Sequence, residues 1–381
     1  MLTRRGYDVE TLPGALGEAE LIEALSGVDM LGIRSRTNVT RKVLENAPQL
    51  SAIGAFCIGT NQIDLEAASD HAVAAFNAPY SNTRSVVELV MAEIMSLARR
   101  LTDRNRDMHA GVWDKSAQGS HEVRGRTLGI IGYGNIGSQL SIVAEAMGMR
   151  VYFYDILDKL ALGNAKRVSS LDELFEKAET ISMHVDGRPS NENLIGAEEL
   201  AKMRPRALFL NLCRGNVVDL EALRDAIESG HIAGAALDVF PSEPRAKGEE
   251  FVSPLRGLNN VILTPHIGGS TAEAQEDIGH FVAGKLADYA ELGVTAMSVN
   301  FPEVAAGPLD VQRVVHLHQN VPGVMARLNA VLAQHNMNIG SQMLATRGQY
   351  GYAITDVSGE SYDGLLAELQ DQEETIRVRV L

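Results

Sequence analysis

The chain has 381 residues, 45% of them hydrophobic and 22% charged, ordinary values for a soluble globular protein of two or three domains. Its net charge of -15 argues against nucleic acid or an anionic membrane as a partner, and means that an anionic ligand needs a local basic pocket. Cys57 and Cys213 make no disulfide framework and fit a reducing cytoplasm; no apolar run reaches the ~18 residues of a membrane span, and the start "MLTRRGYDVE" lacks the apolar stretch of a signal peptide.

Between Val9 and Ala78 short apolar runs alternate with helical patterns. "DMLGIRSRT" reads as a strand ending in a polar loop, "LSAIGAFCIGTNQID" as a strand, a Gly-bearing turn and a helix start, and "AVAAFNAP" as another strand, which predicts a parallel sheet covered by helices. Residues 81–101, "SNTRSVVELVMAEIMSLARRL", read as one helix, with a polar start, an apolar stripe and Arg99-Arg100 near its end. A second α/β series comes next, with strands in "RTLGIIGYG", "RVYFYD", "TISMHV", "RALFLNLC", "AGAALDVF" and "NVILTPH". Helices are expected over 137–147 and in "SSLDELFEKA" and "LEALRDAIESG"; another, over 272–293, leads out. "FPEVAAGPLD", residues 301–310, reads as a Pro/Gly/Ala linker. In the tail, the strands "VQRVVHLHQ", "NIGSQMLATRG", "YGYAITDVSG" and "TIRVRVL" alternate with the helices "GVMARLNAVLAQHN" and "YDGLLAELQDQ". That β-α-β-β-α-β order is ferredoxin-like.

Five strand ends carry chemistry. "GYGNIG" sets Gly132, Gly134 and Gly137 between an apolar strand and a helix, with Asn135 and Ile136 opening the helix. Alone the pattern fits a plain strand–helix turn; in this context it fits a pyrophosphate on a helix N-terminus. Asp155, eighteen residues after Gly137, ends the next strand and suits the ribose hydroxyls; no Arg comes directly after it, which favours NAD over NADP. Further along, Arg214 in "NLCRGNVVD", Glu243 between Pro241 and Pro244, and His266 in "LTPHIGG" each come after an apolar strand. Each alone is an ordinary turn residue. Together, on one edge of one sheet, they suit hydride transfer: Arg214 holds a substrate carboxylate, His266 exchanges the hydroxyl proton and Glu243 raises the His266 pKa.

"GYGNIG", "NLCRG", "DVFPSEP" and "TPHIGGST" together resemble the D-isomer-specific 2-hydroxyacid dehydrogenases. The resemblance implies that Arg214, Glu243 and His266 are catalytic, and that Leu212, Cys213, Asp238, Gly268 and Gly269, with Arg214 and His266 themselves, line the NAD site together with the glycine-loop residues and Asp155. "GIRSRT", "FCIGTNQIDL", "FNAPYSNTRSVVELV", "GVWDK", "YFYDI" and "NFPEV" extend the likeness over nearly the whole chain. They match the branch that oxidises 3-phosphoglycerate to 3-phosphohydroxypyruvate, opening serine biosynthesis. The implied fold is a Rossmann-type NAD-binding domain (82–268) inserted in a flavodoxin-like substrate domain (1–81 and 269–310), with an ACT domain (311–381) after it. A phosphate needs cations: Arg34 and Arg36, with Ser35 and Asn82 as further donors, suit it. Lys115 resembles a lysine that reaches a neighbouring subunit's active site, and Trp113 an interface residue. His318, Asn320 and Asn338 resemble residues that hold L-serine between two paired ACT domains. Paired ACT domains and a second interface through the cofactor domain imply a homotetramer in the cytoplasm; no metal is implied.

The chain departs from this pattern in three places. Relatives begin with a strand and helix before the position of Gly6, so a shortened start is expected. Pro13 stands where some relatives carry a Lys, and Asp310-Val311 where a Gly-Gly hinge often lies. Two other readings compete: the same chemistry on another small 2-hydroxy acid such as 2-hydroxyglutarate, and a non-catalytic NAD or amino-acid sensor.

Overall fold

A computed structural model describes residues 1–244, 248–359 and 364–381. The chain divides into two compact units, one of Met1–Ser81 with Glu276–Leu381, the other of Asn82–Gln275.

The first unit opens with α1 (Glu18–Ala24), β1 (Met30–Ile33), α2 (Arg41–Glu45), β2 (Ala52–Ala55), α3 (Leu65–Asp70) and β3 (Ala74–Phe76). The strands pair in parallel in the order β1-β2-β3. Every residue of β2 and β3 is buried, as continuous apolar runs in a covered parallel sheet should be. The helix starts are set by side chains: Thr40 accepts from Val43 N at 3.4 Å, and Asp64 from Ala67 N at 2.9 Å.

The second unit begins with α4 (Thr83–Arg99), whose stripe Val86, Val87, Val90, Ile94 and Leu97 is buried. The expected single helix to Leu101 is interrupted. Arg100 is left-handed, with φ 51°, and a new helix, α5 (Leu101–His109), starts after it. The cause is tertiary: Asp103, buried on α5, accepts from Arg100 at 2.9 Å and from Asn260 N at 3.0 Å, which pulls the chain out of line. The series continues with β4 (Thr127–Ile131), α6 (Asn135–Ala146), β5 (Arg150–Tyr154), β6 (Lys166–Arg167), α7 (Leu171–Lys177) and β7 (Thr180–Met183). It ends with α8 (Ala197–Lys202), β8 (Ala207–Asn211), α9 (Leu220–Glu228), β9 (Ile232–Leu237) and β10 (Val261–Leu263). All pairs are parallel, in the order β10-β9-β8-β7-β4-β5-β6, a doubly wound Rossmann arrangement. Apolar clusters cover both faces: α4 and α6 on one, α7, α8 and α9 on the other.

α10 (Ala272–Leu292) leads to β11 (Gln312–Gln319), α11 (Val324–Gln334), β12 (Asn338–Arg347), β13 (Tyr350–Ser358), α12 (Leu365–Gln370) and β14 (Thr375–Val380). The expected start of the last helix, at Tyr362, lies outside the described residues. The sheet is antiparallel in the order β12-β13-β11-β14, as a ferredoxin-like module requires. Alternation along β11 divides its side chains. Val314 packs with Leu328, Leu332 and Leu365 of the module's own helices. Val315 and Leu317 pack with Phe76, Val282, Leu286 and Tyr289. Of the stretch 301–310, Phe301 and Val304 are buried in this same cluster. Arg313, 1% exposed, fixes the junction: it pairs with Asp356 at 2.6 Å and donates to Leu292 O at 3.0 Å.

Candidate active site

The parallel order puts the carboxyl ends of β8, β9 and β10 side by side. Each of these strands leads into a turn held by a polar side chain. After β8, fully buried Asn211 clamps the turn: its Oδ1 accepts from Cys213 N at 3.1 Å, and its Nδ2 donates to Arg214 O at 2.9 Å. The Arg214 guanidinium donates to Cys213 O at 2.6 Å. After β9, Pro241 and Pro244 stiffen the loop, and Glu243 Oε1 accepts from Phe240 N at 3.2 Å. After β10, His266 sits in the left-handed region at φ 54°. Asp238, 1% exposed, holds that turn through Thr264 Oγ1 at 2.6 Å, Ile267 N at 2.8 Å and Gly268 N at 2.7 Å.

These turns join Glu243 to His266, with Nδ1 and Oε2 3.0 Å apart. An ionised carboxylate only accepts, so Nδ1 carries the hydrogen and Nε2 is left for proton exchange. The hydrogen bond and charge of Glu243, with the charge of Asp238, raise the His266 pKa against burial and the Arg214 cation. Burial pushes Glu243 upward, but the His266 hydrogen bond and charge and the Arg214 cation hold it below its usual value. Arg214, Glu243 and His266 thus form one electrostatic group. It can hold an anion, polarise a carbonyl and exchange one proton.

The glycine loop between β4 and α6 suits a dinucleotide. Gly132 has φ 91°, and a Cβ there would collide with His184 O; a Cβ on Gly137 would collide with Gly132 O. Exposed Gly134 is the N-cap of α6, and a Cβ on it would meet nothing within 4 Å. That leaves open space before the backbone N–H groups of Asn135, Ile136 and Gly137, where a pyrophosphate binds best. Asp155 sits past the end of β5, its Oδ2 accepting from Tyr133 N at 2.7 Å and its Oδ1 from Leu157 N at 2.8 Å. Each oxygen keeps a lone pair for a ribose hydroxyl. Leu212 and Cys213 are buried, and burial pushes the Cys213 thiol up to about 11.

Asn82, the N-cap residue of α4, lies against Gly269. Lys115 and Trp113 are exposed in the segment after α5. Arg34, Ser35 and Arg36 belong to the other unit and are exposed after β1, where a basic pocket for an anion was expected. In the C-terminal sheet, His318 and Asn320 lie where Gln319 faces Tyr350, whereas Asn338 faces Ser358 at the far end of β13. A single module therefore does not bring Asn338 to the other two: seven or more residues along a strand span roughly 20 Å or more. His318 is buried; its Nδ1 lies 2.8 Å from Gln319 O, and its Nε2 has no partner.

Two residues of this region escape sequence reasoning. Asn211 is hidden at the end of an apolar strand. Glu93, on the buried stripe of α4, has no hydrogen-bond partner for either oxygen. Burial, then the charge of Asp238, pushes its carboxyl up to about 8, which favours the protonated form. Among the described residues, no group of three or more His, Cys, Asp or Glu could hold a metal ion, and no helix is long and apolar enough to cross a membrane.

Comparison with known proteins shows the family to which the chain belongs. Residues 91–268 match the NAD-binding domain of D-isomer specific 2-hydroxyacid dehydrogenases, and residues 314–377 match an AHAS small subunit-like ACT domain. The chain is 52% identical to D-3-phosphoglycerate dehydrogenase of Haemophilus influenzae over 378 residues, 99% of this chain and 92% of that protein. It is 48% identical to D-3-phosphoglycerate dehydrogenase of Escherichia coli K12 over 383 residues, 100% of this chain and 93% of that one. Among solved structures it is similar to D-lactate dehydrogenase of Aquifex aeolicus complexed with NAD and lactic acid. There the TM-score is 0.65 at 25% identity, covering 76% of this chain and 90% of the other.

Proposed function

Because the chain belongs to the D-isomer-specific 2-hydroxyacid dehydrogenases, with NAD as its cofactor, we propose that it oxidises 3-phospho-D-glycerate to 3-phosphohydroxypyruvate in L-serine biosynthesis. The observation that carries the chemistry is the His266–Glu243 pair at the end of the strands that also present Arg214. Bound NAD supplies the hydride acceptor. The Arg214 fork binds the substrate carboxylate and polarises the forming carbonyl. His266 Nε2 takes the hydroxyl proton, and the resulting imidazolium is stabilised by Glu243. Arg34 and Arg36, with Ser35, hold the phosphate; Asn82 and Lys115 add donors. Asp238, Leu212, Cys213, Gly268 and Gly269 line the cofactor site with the glycine loop and Asp155.

L-Serine is the proposed effector of the C-terminal module, the ACT domain of residues 311–381. The opposite-end placement of Asn338 supports a site shared between two modules, with His318 and Asn320 from one copy and Asn338 from another. His318 suits an amino-acid ligand: Nδ1 donates to Gln319 O, so the buried Nε2 is an acceptor awaiting an ammonium or hydroxyl hydrogen. Copies paired there and through the cofactor domain make a homotetramer, working in the cytoplasm. The test is NADH formation by the full chain with 3-phosphoglycerate, 2-hydroxyglutarate and neither, with and without L-serine. Turnover of 3-phosphoglycerate, reduced by L-serine, is expected. Turnover of 2-hydroxyglutarate alone rejects the substrate, and unchanged rates with serine reject the effector.

The proton step has its own pH signature. Oxidation needs neutral His266, so its rate rises as pH passes upward through the His266 pKa, which Glu243 holds above the ordinary value. Glu243→Gln removes the charge and lowers that pKa. The rising limb of kcat/KM for oxidation is expected at lower pH in the variant. The falling limb of the reverse reaction, which needs protonated His266, moves the same way. Limbs that stay in place in both directions rule out His266 as the titrating group.

A further inference from the structure

The buried face of α4 carries a carboxyl that the mechanism above does not use. A Cβ on Gly268 would lie 3.0 Å from Asp238 Oδ2 and 3.3 Å from a Val86 methyl, so the α4 stripe packs directly on the turn that Asp238 holds. Glu93 continues that stripe, seven residues after Val86 and three after Val90. It is 3% exposed, and neither of its oxygens has a hydrogen-bond partner among the described residues. A carboxylate so placed is far more costly than the protonated acid.

The surrounding charges point the same way. α4 packs against α5, α6, β8, β9 and β10. The three strands contain no ionisable side chain; the acid they bring is Asp238, directly after β9. On α6 the one ionisable side chain, Glu145, accepts from Asn164 N at 2.8 Å. The charges of α5 begin at Asp103, ten residues beyond Glu93, and Arg100 and Arg106 pair with it. On α4 itself Arg84 and Glu88 pair with each other at the surface, and Arg99 is exposed. The one charge that acts on Glu93 is therefore Asp238, which repels its ionised form. Asp238 accepts three hydrogen bonds and Glu93 none, so a proton held by the pair sits on Glu93.

We propose that Glu93 is a positioning residue of the cofactor site, which acts through Asp238: it holds one proton under the His266 turn, and release of that proton to solvent shifts the site's preference from reduced to oxidised NAD. In the dehydrogenase reading, on which this rests, one carbon of the substrate gives its hydroxyl proton to His266 and its hydride to NAD, so the hydride acceptor belongs beside this turn. The oxidised nicotinamide ring is cationic and the reduced ring neutral. With Glu93 protonated, the pair beneath the turn carries one negative charge. With Glu93 ionised it carries two, in an interior that screens them poorly. The added charge favours the cationic ring, so alkaline pH draws the free enzyme toward the form of the cofactor that oxidation needs.

The test compares the full chain with Glu93→Gln, which keeps the shape of the protonated acid, and Glu93→Met, which removes its polar atoms as well. Unchanged circular dichroism checks that each variant folds. Infrared difference spectra of the free proteins, wild type minus variant, are expected to show the C=O stretch of one protonated carboxyl just below neutral pH, fading as pH rises through about 8. A carboxylate solvated by buried water gives no such band. Dissociation constants for NAD+ and NADH are measured calorimetrically at the two ends of that fade. Their ratio is expected to shift toward NAD+ by at least about threefold more in wild type than in either variant, the effect of one charge in an effective dielectric of about 20. The absence of the band, a band that ignores pH, or a ratio that shifts equally in all three proteins overturns this role of Glu93. Failure of all three to bind either nucleotide overturns the reading of the cofactor site as well, whereas binding without the band overturns Glu93 alone.

Discussion

His266→Asn is expected to lower kcat for 3-phosphoglycerate oxidation by about two to four orders of magnitude while folding is unchanged and NADH affinity falls far less than turnover. Asparagine is the informative replacement. It tolerates the left-handed φ of 54° that His266 occupies, whereas alanine would add backbone strain of its own. The imidazole is 55% exposed, so its removal opens no core cavity. The turn is held through the backbone N–H groups of Ile267 and Gly268, on Asp238, and these bonds survive the substitution. The substitution takes away a group that can accept a proton near neutral pH, together with the charge that Glu243 stabilises. Steady-state rates in both directions, with calorimetric titration of NADH, check the result. Wild-type turnover in a variant of unchanged stability would remove His266 from the mechanism. A loss of both turnover and NADH affinity would instead make it a structural part of the cofactor site.

The strand ends that carry Arg214, Glu243 and His266 were legible because parallel strands buried on both faces read as continuous apolar runs, and the residues directly after each run must form a turn at one edge. Glu243 and His266 stand out there because prolines and glycines punctuate their loops. The same logic fails where a polar residue is defined by tertiary surroundings. Glu93 sits three residues from Val90 on an apolar stripe, and nothing in the helical period separates a neutral buried carboxyl from a solvated one. Asn211 looks like the last polar residue of a strand, yet it clamps the Arg214 turn. The break at Arg100 is invisible because "LARRLTDRNRD" is locally good helix; only the tie from Asp103 to Asn260, more than 150 residues away, imposes it. Nor does the sequence show how far Asn338 stands from His318 and Asn320 within one module; strand register puts it at the opposite end of the sheet, as a site shared between two modules requires.

The second large effect is expected at Arg214, where two substitutions separate charge from shape. Arg214→Ala removes the forked donor for the substrate carboxylate and forming carbonyl, and kcat/KM should fall by about two to four orders of magnitude. Arg214→Lys restores the charge without the planar fork, so only part of that loss should be recovered. The turn itself should persist in both, since Asn211 grips the main chain of residues 213 and 214 and not the guanidinium. A second readout separates electrostatics from binding. The Arg214 cation lowers the His266 pKa, so its removal leaves Glu243 and Asp238 to raise that pKa further. The rising limb of the oxidation profile should therefore move to higher pH in Arg214→Ala, opposite in sign to Glu243→Gln, and stay close to wild type in Arg214→Lys. A fall in kcat/KM with the limb unmoved in Arg214→Ala would separate Arg214 from the proton-transfer pair and restrict it to substrate binding. An unchanged kcat/KM would remove it from the site.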